Sequence, residues 1–153
     1  NSTIKNGSEV ARPLQRALRN IMWEYGGVVK SGERLNKGLS ELEDLKAASK
    51  DLDVRPDSEG YQDLMLAFDL EASIVSSEAT LVSALNRQES RGAHQREDFK
   101  DLDNNENVNV RVELEKENNL KLTKDKIPTL KKDLKNLIDK TKEIKDFEGM
   151  LLE

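Results

Sequence analysis

Apolar positions along the chain fall into four helix-spaced runs and one alternating stretch, separated by polar breaks. In the first, Leu14, Leu18, Ile21, Met22 and Tyr25 recur at intervals of three and four, the spacing that lines one face of a helix. The run predicts a helix over Ser8 to Tyr25. Glu9 falls in its first turn, where a carboxylate favours the free amide ends. Pro13 is tolerated only inside that turn, so regular helix is expected from about Arg12. Gly26-Gly27 stops it. After Ser31 the pattern resumes: Leu35, Leu39, Leu42, Leu45 and Leu52 share a face, with Glu41, Glu43, Asp44 and Lys46 opposite. Arg55-Pro56-Asp57 closes this second helix, because the residue before a proline avoids helical angles.

The third run is the longest. Tyr61, Met65, Phe68, Ala72, Ile74, Val75, Ala79, Val82 and Leu85 keep close to a heptad rhythm, with Ser58 as the expected N-cap. Ala72 and Ala79 are small enough to admit a neighbouring helix closely. Three amphipathic helices on short connectors bury their stripes best as an up-down-up bundle. Beyond Arg96 the period changes. Asp101 to Asn107 is polar and turn-rich; Val108, Val110, Val112 and Leu114 then alternate with Asn109, Arg111 and Glu113, as a half-buried strand does. Asn118-Asn119 suits a turn, and Leu120 and Leu122 alternate again, so a β-hairpin is expected. Pro128 stands where a proline begins a helix, followed by Leu130, Leu134, Leu137, Ile138 and Ile144. The division is residues 8–99 as the bundle and 100–153 as polar connector, hairpin and Lys-rich C-terminal helix.

Composition narrows the chemistry. In 153 residues there is no cysteine, which removes disulfides, thiolate nucleophiles, iron–sulfur ligands and Cys-based zinc sites. A single histidine cannot assemble a multi-His metal site. Leu, Ile, Val and Phe supply about a quarter of the residues, enough for a modest core. No apolar run is long enough to span a membrane. Without an initiator Met or a signal-peptide pattern at Asn1, the chain reads as a piece of something longer. Lys121 to Lys145 holds nine lysines and four acids, against a net charge of -5 for the whole. No aromatics or arginines interleave those lysines, so they read as a solvated surface rather than a nucleic-acid site.

No dinucleotide-binding, Walker, nucleophile-elbow or zincin motif occurs. Asp101, Asp103, Asn105 and Asn107 imitate a calcium loop, but Glu106 stands where the sharp-turn glycine belongs and Val112 where the bidentate acid belongs. The chemistry that remains is concentrated in Glu89-Ser-Arg-Gly-Ala-His-Gln-Arg-Glu-Asp98, preceded by Asn86 and Arg87. It lies where the longest helix must end, and Gly92 can take the left-handed angle of a helix terminus. Three readings are open: a buried ion-pair network that docks another domain, an anion site, or a capped helix end with solvated charges.

These residues carry a resemblance. Glu89-Ser90-Arg91-Gly92-Ala93-His94 with Arg96, Glu97 and Asp98 resembles the motif near the C-terminus of the succinate dehydrogenase/fumarate reductase flavoproteins. So does Ile21-Met22-Trp23-Glu24-Tyr25-Gly26-Gly27-Val28-Val29-Lys30, followed by the Leu35–Leu45 helix. The resemblance runs from about Val10 to Phe99 and fades beyond. L-aspartate oxidase is similar, and Ala93 and Arg96-Glu97-Asp98 look closer to the succinate/fumarate branch. It implies a mainly α fold: a three-helix, spectrin-repeat-like bundle at the C-terminus of a flavoprotein subunit, here with a small hairpin and a further helix. It also implies an FAD-binding domain and a capping domain earlier in the parent chain, hydride exchange between flavin and dicarboxylate, and an iron–sulfur partner subunit. The parent enzyme would be cytoplasmic and peripheral to a membrane through its partner subunits. No catalytic, cofactor-binding or metal residue carries over, and the fragment alone is expected to be inactive. For Glu89, Arg91, His94 and Arg96 the resemblance implies packing against the rest of the subunit. The competing reading is a free-standing helical interaction module, with the bundle or its lysine-rich last helix gripping a protein or an anionic surface.

Overall fold

The hydrophobic period selects three helices, and their contacts fix how they run. The structure, a computed structural model, describes residues 7–55, 61–116 and 119–142, the last four of these by backbone alone. Helix α1 covers Ala11–Tyr25, α2 Gly32–Ala48 and α3 Tyr61–Asn86. Gln15 on α1 donates from Nε2 to the carbonyl of Leu66 on α3 at 3.3 Å, while Gly26, at the other end of α1, lies beside Leu81. Those two helices therefore run in the same direction. Helix α2 runs back between them. Its start lies beside Tyr25, and the segment after its end pairs with the chain before α1 through a parallel bridge between Glu9 and Leu52. The bundle is up-down-up, as the stripes require.

Leu35, Leu42, Leu70 and Leu81 are fully buried at its centre, with Leu18, Ile21, Tyr25, Leu45 and Ile74 around them. Each such leucine stabilises by about 2 kcal/mol through area removed from water. Polar bridges join each helix pair besides. Between α1 and α2 the Tyr25 hydroxyl donates to Glu41 Oε1 at 2.6 Å and Arg34 pairs with Glu24 at 3.2 Å; between α2 and α3 Lys46 Nζ lies 2.9 Å from Glu78 Oε2. Helices α1 and α3 are joined by the Gln15 bond. Gly38 lets α2 lie close against α1: a Cβ there would sit 2.6 Å from the Cβ of Tyr25.

Several boundaries differ from the sequence reading. Helix α1 starts at Ala11, which puts Pro13 in the first turn as required but leaves Glu9 outside. Gly26 ends it, as expected. Ser31 caps α2, its side chain accepting the Arg34 N–H at 3.3 Å. Helix α2 stops at Ala48, a 3-10 turn over Ser49–Asp51 follows, and Leu52 reaches the core from an extended segment. Pro56, Asp57 and Ser58 lie outside the described residues.

The largest correction concerns α3. Its buried positions are Ala67, Leu70, Ile74, Ser77, Leu81 and Ala84. Of the expected stripe, Tyr61, Met65, Phe68 and Ala72 are exposed, and Val75, Ala79 and Val82 are half-buried. Both sets keep heptad spacing and are apolar but for Ser77, and the bundle selects the one led by large aliphatic residues. Ala72 therefore admits no neighbour; the close approach is made by Gly38 instead.

Strands β1 (Val29–Lys30) and β2 (Gln95–Arg96) pair in parallel, with Val29 opposite Gln95 and Lys30 opposite Arg96. The hairpin forms: β3 (Val108–Leu114) and β4 (Leu120–Lys126) pair antiparallel from Val108↔Lys126 to Leu114↔Leu120. Val108, Val110 and Val112 are half-buried as patterned, Leu114 at the strand end is exposed instead, and Asn118 lies outside the described residues. Helix α4 spans Lys132–Lys142, starting four residues after Pro128, with Asp133 in its first turn. Ile144 lies outside the described residues.

Candidate functional site

Every helix leaves its last carbonyls without helical partners. At the end of α3 an arginine from downstream takes them. Arg96, 3% exposed, donates from Nη1 to the carbonyls of Ala84 (2.9 Å), Leu85 (3.2 Å) and Arg87 (2.9 Å). The other edge of the same guanidinium grips Asp98, Nε to Oδ1 and Nη2 to Oδ2, each at 2.8 Å. Asp98 Oδ2 also accepts the N–H of Gly32, the first residue of α2, at 2.8 Å. One bidentate ion pair thus joins the negative end of α3 to the positive end of α2. Its carboxyl is held well below the usual aspartate range, chiefly by Arg96, with burial opposing and the Gly32 N–H assisting.

A second carboxylate anchors the segment from the other side. Glu89 is completely buried. It receives Arg91 twice, Nε to Oε1 at 2.9 Å and Nη2 to Oε2 at 3.0 Å, then Arg87 Nη1 and the N–H of Asp103 at 3.0 Å. The Arg91 bonds outweigh burial and hold its pKa down at about 2. Arg87 continues outward, donating to the carbonyls of Glu106 (3.1 Å) and Val108 (2.7 Å), which docks the hairpin on the end of α3. Ser90, also buried, accepts the Arg96 N–H at 2.9 Å and donates to the Phe99 carbonyl at 2.8 Å.

Between these anchors Arg91 and His94 form a tight turn by exchanging backbone bonds of 2.8 and 3.0 Å. Gly92, at φ +56°, occupies its first central position, where primed turns demand a positive angle. The left-handed glycine predicted from sequence is therefore real, but it makes this turn rather than ending α3. His94 is half-buried with Nε2 3.3 Å from the Arg87 carbonyl. Burial, and secondarily the charges of Lys30, Arg96 and Arg87, lower its pKa. Lys30, buried beside Arg96, donates to the carbonyl of Val28 at 3.1 Å, and burial pulls its pKa down as well.

Of the four residues singled out by sequence, Glu89 and Arg96 are interior, while Arg91 and His94 keep part of their surface in solvent. All four belong to one network. Arg87, Asp98, Lys30 and Ser90 share it and were not singled out. A signal was present for two of them: Arg87, Glu89 and Arg91, and again Arg96 and Asp98, stand two apart, which in extended chain places them on one side. The two stretches that carry the family resemblance also meet here, since β1 ends the first and β2 lies in the second.

A bundle whose helix ends are tied by arginine–carboxylate pairs defines a structural domain: Arg96, Asp98 and Glu89 are spent on holding its own backbone and one another. Residues 15–135 match the family model described as fumarate reductase flavoprotein C-term, and the chain belongs to that family. The match continues past Phe99, where the resemblance was expected to fade, through the hairpin and into α4. One of the subunits of the CoM/CoB fumarate reductase of Methanothermobacter marburgensis is 34% identical over 97 residues, 63% of this chain and 18% of that one. The L-aspartate oxidase of Acinetobacter baylyi is 34% identical over 89 residues, 56% of this chain and 15% of that one. The quinol fumarate reductase FrdA of E. coli shares the fold with a TM-score of 0.77 at 24% identity, over 84% of this chain and 23% of that one. The chain spans less than a quarter of the length of these relatives.

Proposed function

We propose that this chain is the C-terminal brace of an FAD-dependent subunit that interconverts succinate and fumarate. It holds the flavin domain and the subunit contacts in place and contributes no reacting group. The observation that carries this reading is the use of Arg96, Asp98 and Glu89 as internal ties between helix ends. None of these three groups is left over for a substrate. Nor do the residues fit a flavin: the amide at the start of α2, where a pyrophosphate would sit, is occupied by Asp98. The flavin belongs to residues outside this chain, by analogy with the relatives.

Within the brace, residues 8–99 act as the bundle, and residues 100–153 as connector, hairpin and lysine-rich helix. Glu89 and Arg96 position the turn at Arg91–His94, whose exposed side meets the flavin and capping domains of the same polypeptide. An iron–sulfur subunit receives the electrons. Among the described residues no helix is long and apolar enough to cross a membrane. We place the parent enzyme in the cytoplasm, peripheral to a membrane through partner subunits, with no nucleic acid among its ligands. The purified chain is expected to be colourless and to show no succinate- or fumarate-dependent electron transfer; stoichiometric flavin in the preparation would overturn the reading.

The alternative is the corresponding domain of an L-aspartate oxidase, favoured by the 34% identity to the Acinetobacter baylyi enzyme. Assay of the parent polypeptide with aspartate against succinate separates the two.

A further inference from the structure

Helix α3 is apolar on two opposite sides. Tyr61, Met65, Phe68, Ala72, Val75, Ala79 and Val82 lie about half a turn from the buried row of Ala67, Leu70, Ile74, Ser77, Leu81 and Ala84. A helix apolar all round belongs in an interior. Here α1 and α2 cover one side only. On the other, Tyr61, Met65 and Phe68 remain 66%, 65% and 52% exposed. Single exposed apolar residues are ordinary, but three large ones in a row along a helix mark a contact surface.

We propose that this outer face of α3, led by Tyr61, Met65 and Phe68, is the docking face for the polypeptide that precedes this segment in the parent subunit. The proposal rests on the functional reading above and names the partner within it. Two observations choose the occupant. The chain corresponds to 18% or less of the curated relatives it matches, in a family defined as their C-terminal part, so most of such a subunit lies outside this segment and is at hand to cover it. And the stripe is flanked by exposed Asp69 on one side and Glu71 on the other. A second copy docked by the same face would set these acids against their own equivalents, whereas a surface with a basic rim would be drawn in. The partner surface is therefore apolar with lysine or arginine at its edge.

Hydroxyl-radical footprinting of Tyr61, Met65 and Phe68, read by mass spectrometry, tests this in the 153-residue chain and in the full-length subunit side by side. Labelling at the three side chains is expected to be on the order of tenfold slower in the full-length subunit. Equal labelling in a flavin-loaded subunit would overturn the docking face and leave the functional reading standing. A full-length polypeptide with no flavin domain would overturn both. Protection that appears in the 153-residue chain as its concentration rises would assign the face to a second copy and overturn the proposal.

Discussion

The end of α3 and the hairpin beside it are both laced with ion pairs of nearly the same length, and they are held very differently. Arg96 and Asp98 meet at 2.8 Å; Arg111 meets Glu113 and Asp125 at 3.0 Å. The Arg96 side chain is 2% exposed and the Arg111 side chain 54%. In water the Arg111 pairs are screened, and holding two long side chains together offsets most of the attraction. Near Arg96 there is little water to compete, and the same guanidinium also satisfies three backbone carbonyls. Contact length says little about what a charge contributes. Burial, and how many backbone groups depend on it, decide.

That comparison is sharpest at Arg96. Replacing it with alanine strands the three carbonyls and leaves the partly exposed Asp98 carboxylate to solvent, and should cost about 2–4 kcal/mol in urea unfolding. Lysine should rescue little, because it cannot present two parallel donors to Asp98 while reaching the helix end. Glu89→Gln keeps the shape and removes the charge facing two arginines. We expect a loss of about 2–3 kcal/mol near neutral pH. The variant should also change the pH profile. Glu89 titrates near 4.5 when unfolded and about 2 when folded, so its stabilisation is complete above 4.5 and lost as pH falls toward 2. Wild-type protein should lose stability across that window, and the Gln variant should lose less there. An identical acid profile for the two would remove Glu89 from the explanation. At the other end of the scale, Arg111→Ala should cost less than about 1 kcal/mol and the difference should shrink in high salt. A larger loss would mean that the hairpin is fastened by its surface charges rather than through Arg87.

The bundle was legible in the spacing of the chain because Leu14 to Tyr25 and Leu35 to Leu45 each offer only one apolar face. Helix α3 was legible as a helix but not in its rotation, since Tyr61-Met65-Phe68-Ala72 and Leu70-Ile74-Ser77-Leu81 satisfy the same period. Only the packing of α1 and α2 chooses between them. The hairpin followed from strict alternation at Val108, Val110 and Val112, but its register did not: alternation sets the face of a strand, and Asn119, read as part of the turn, bonds Glu115 across the ladder instead. The start of α4 did not follow from Pro128, because a proline permits a helix start without enforcing one. For the site, the density of charge from Glu89 to Asp98 was visible, and its pairing was not. Arg96 acts on carbonyls of α3 and Asp98 on an amide of α2, and backbone partners leave no mark in a side-chain pattern.

The bond from Gly32 to Asp98 spans 66 residues of chain. On a ribosome adding about 5–20 residues per second, Asp98 is made roughly 3–13 s after the amide it serves. Through that interval the amide at the start of α2 lacks the carboxylate that serves it in the finished chain, and the Ser31 cap is the partner already made. The last lock on this pole of the bundle can close only once Asp98 is translated.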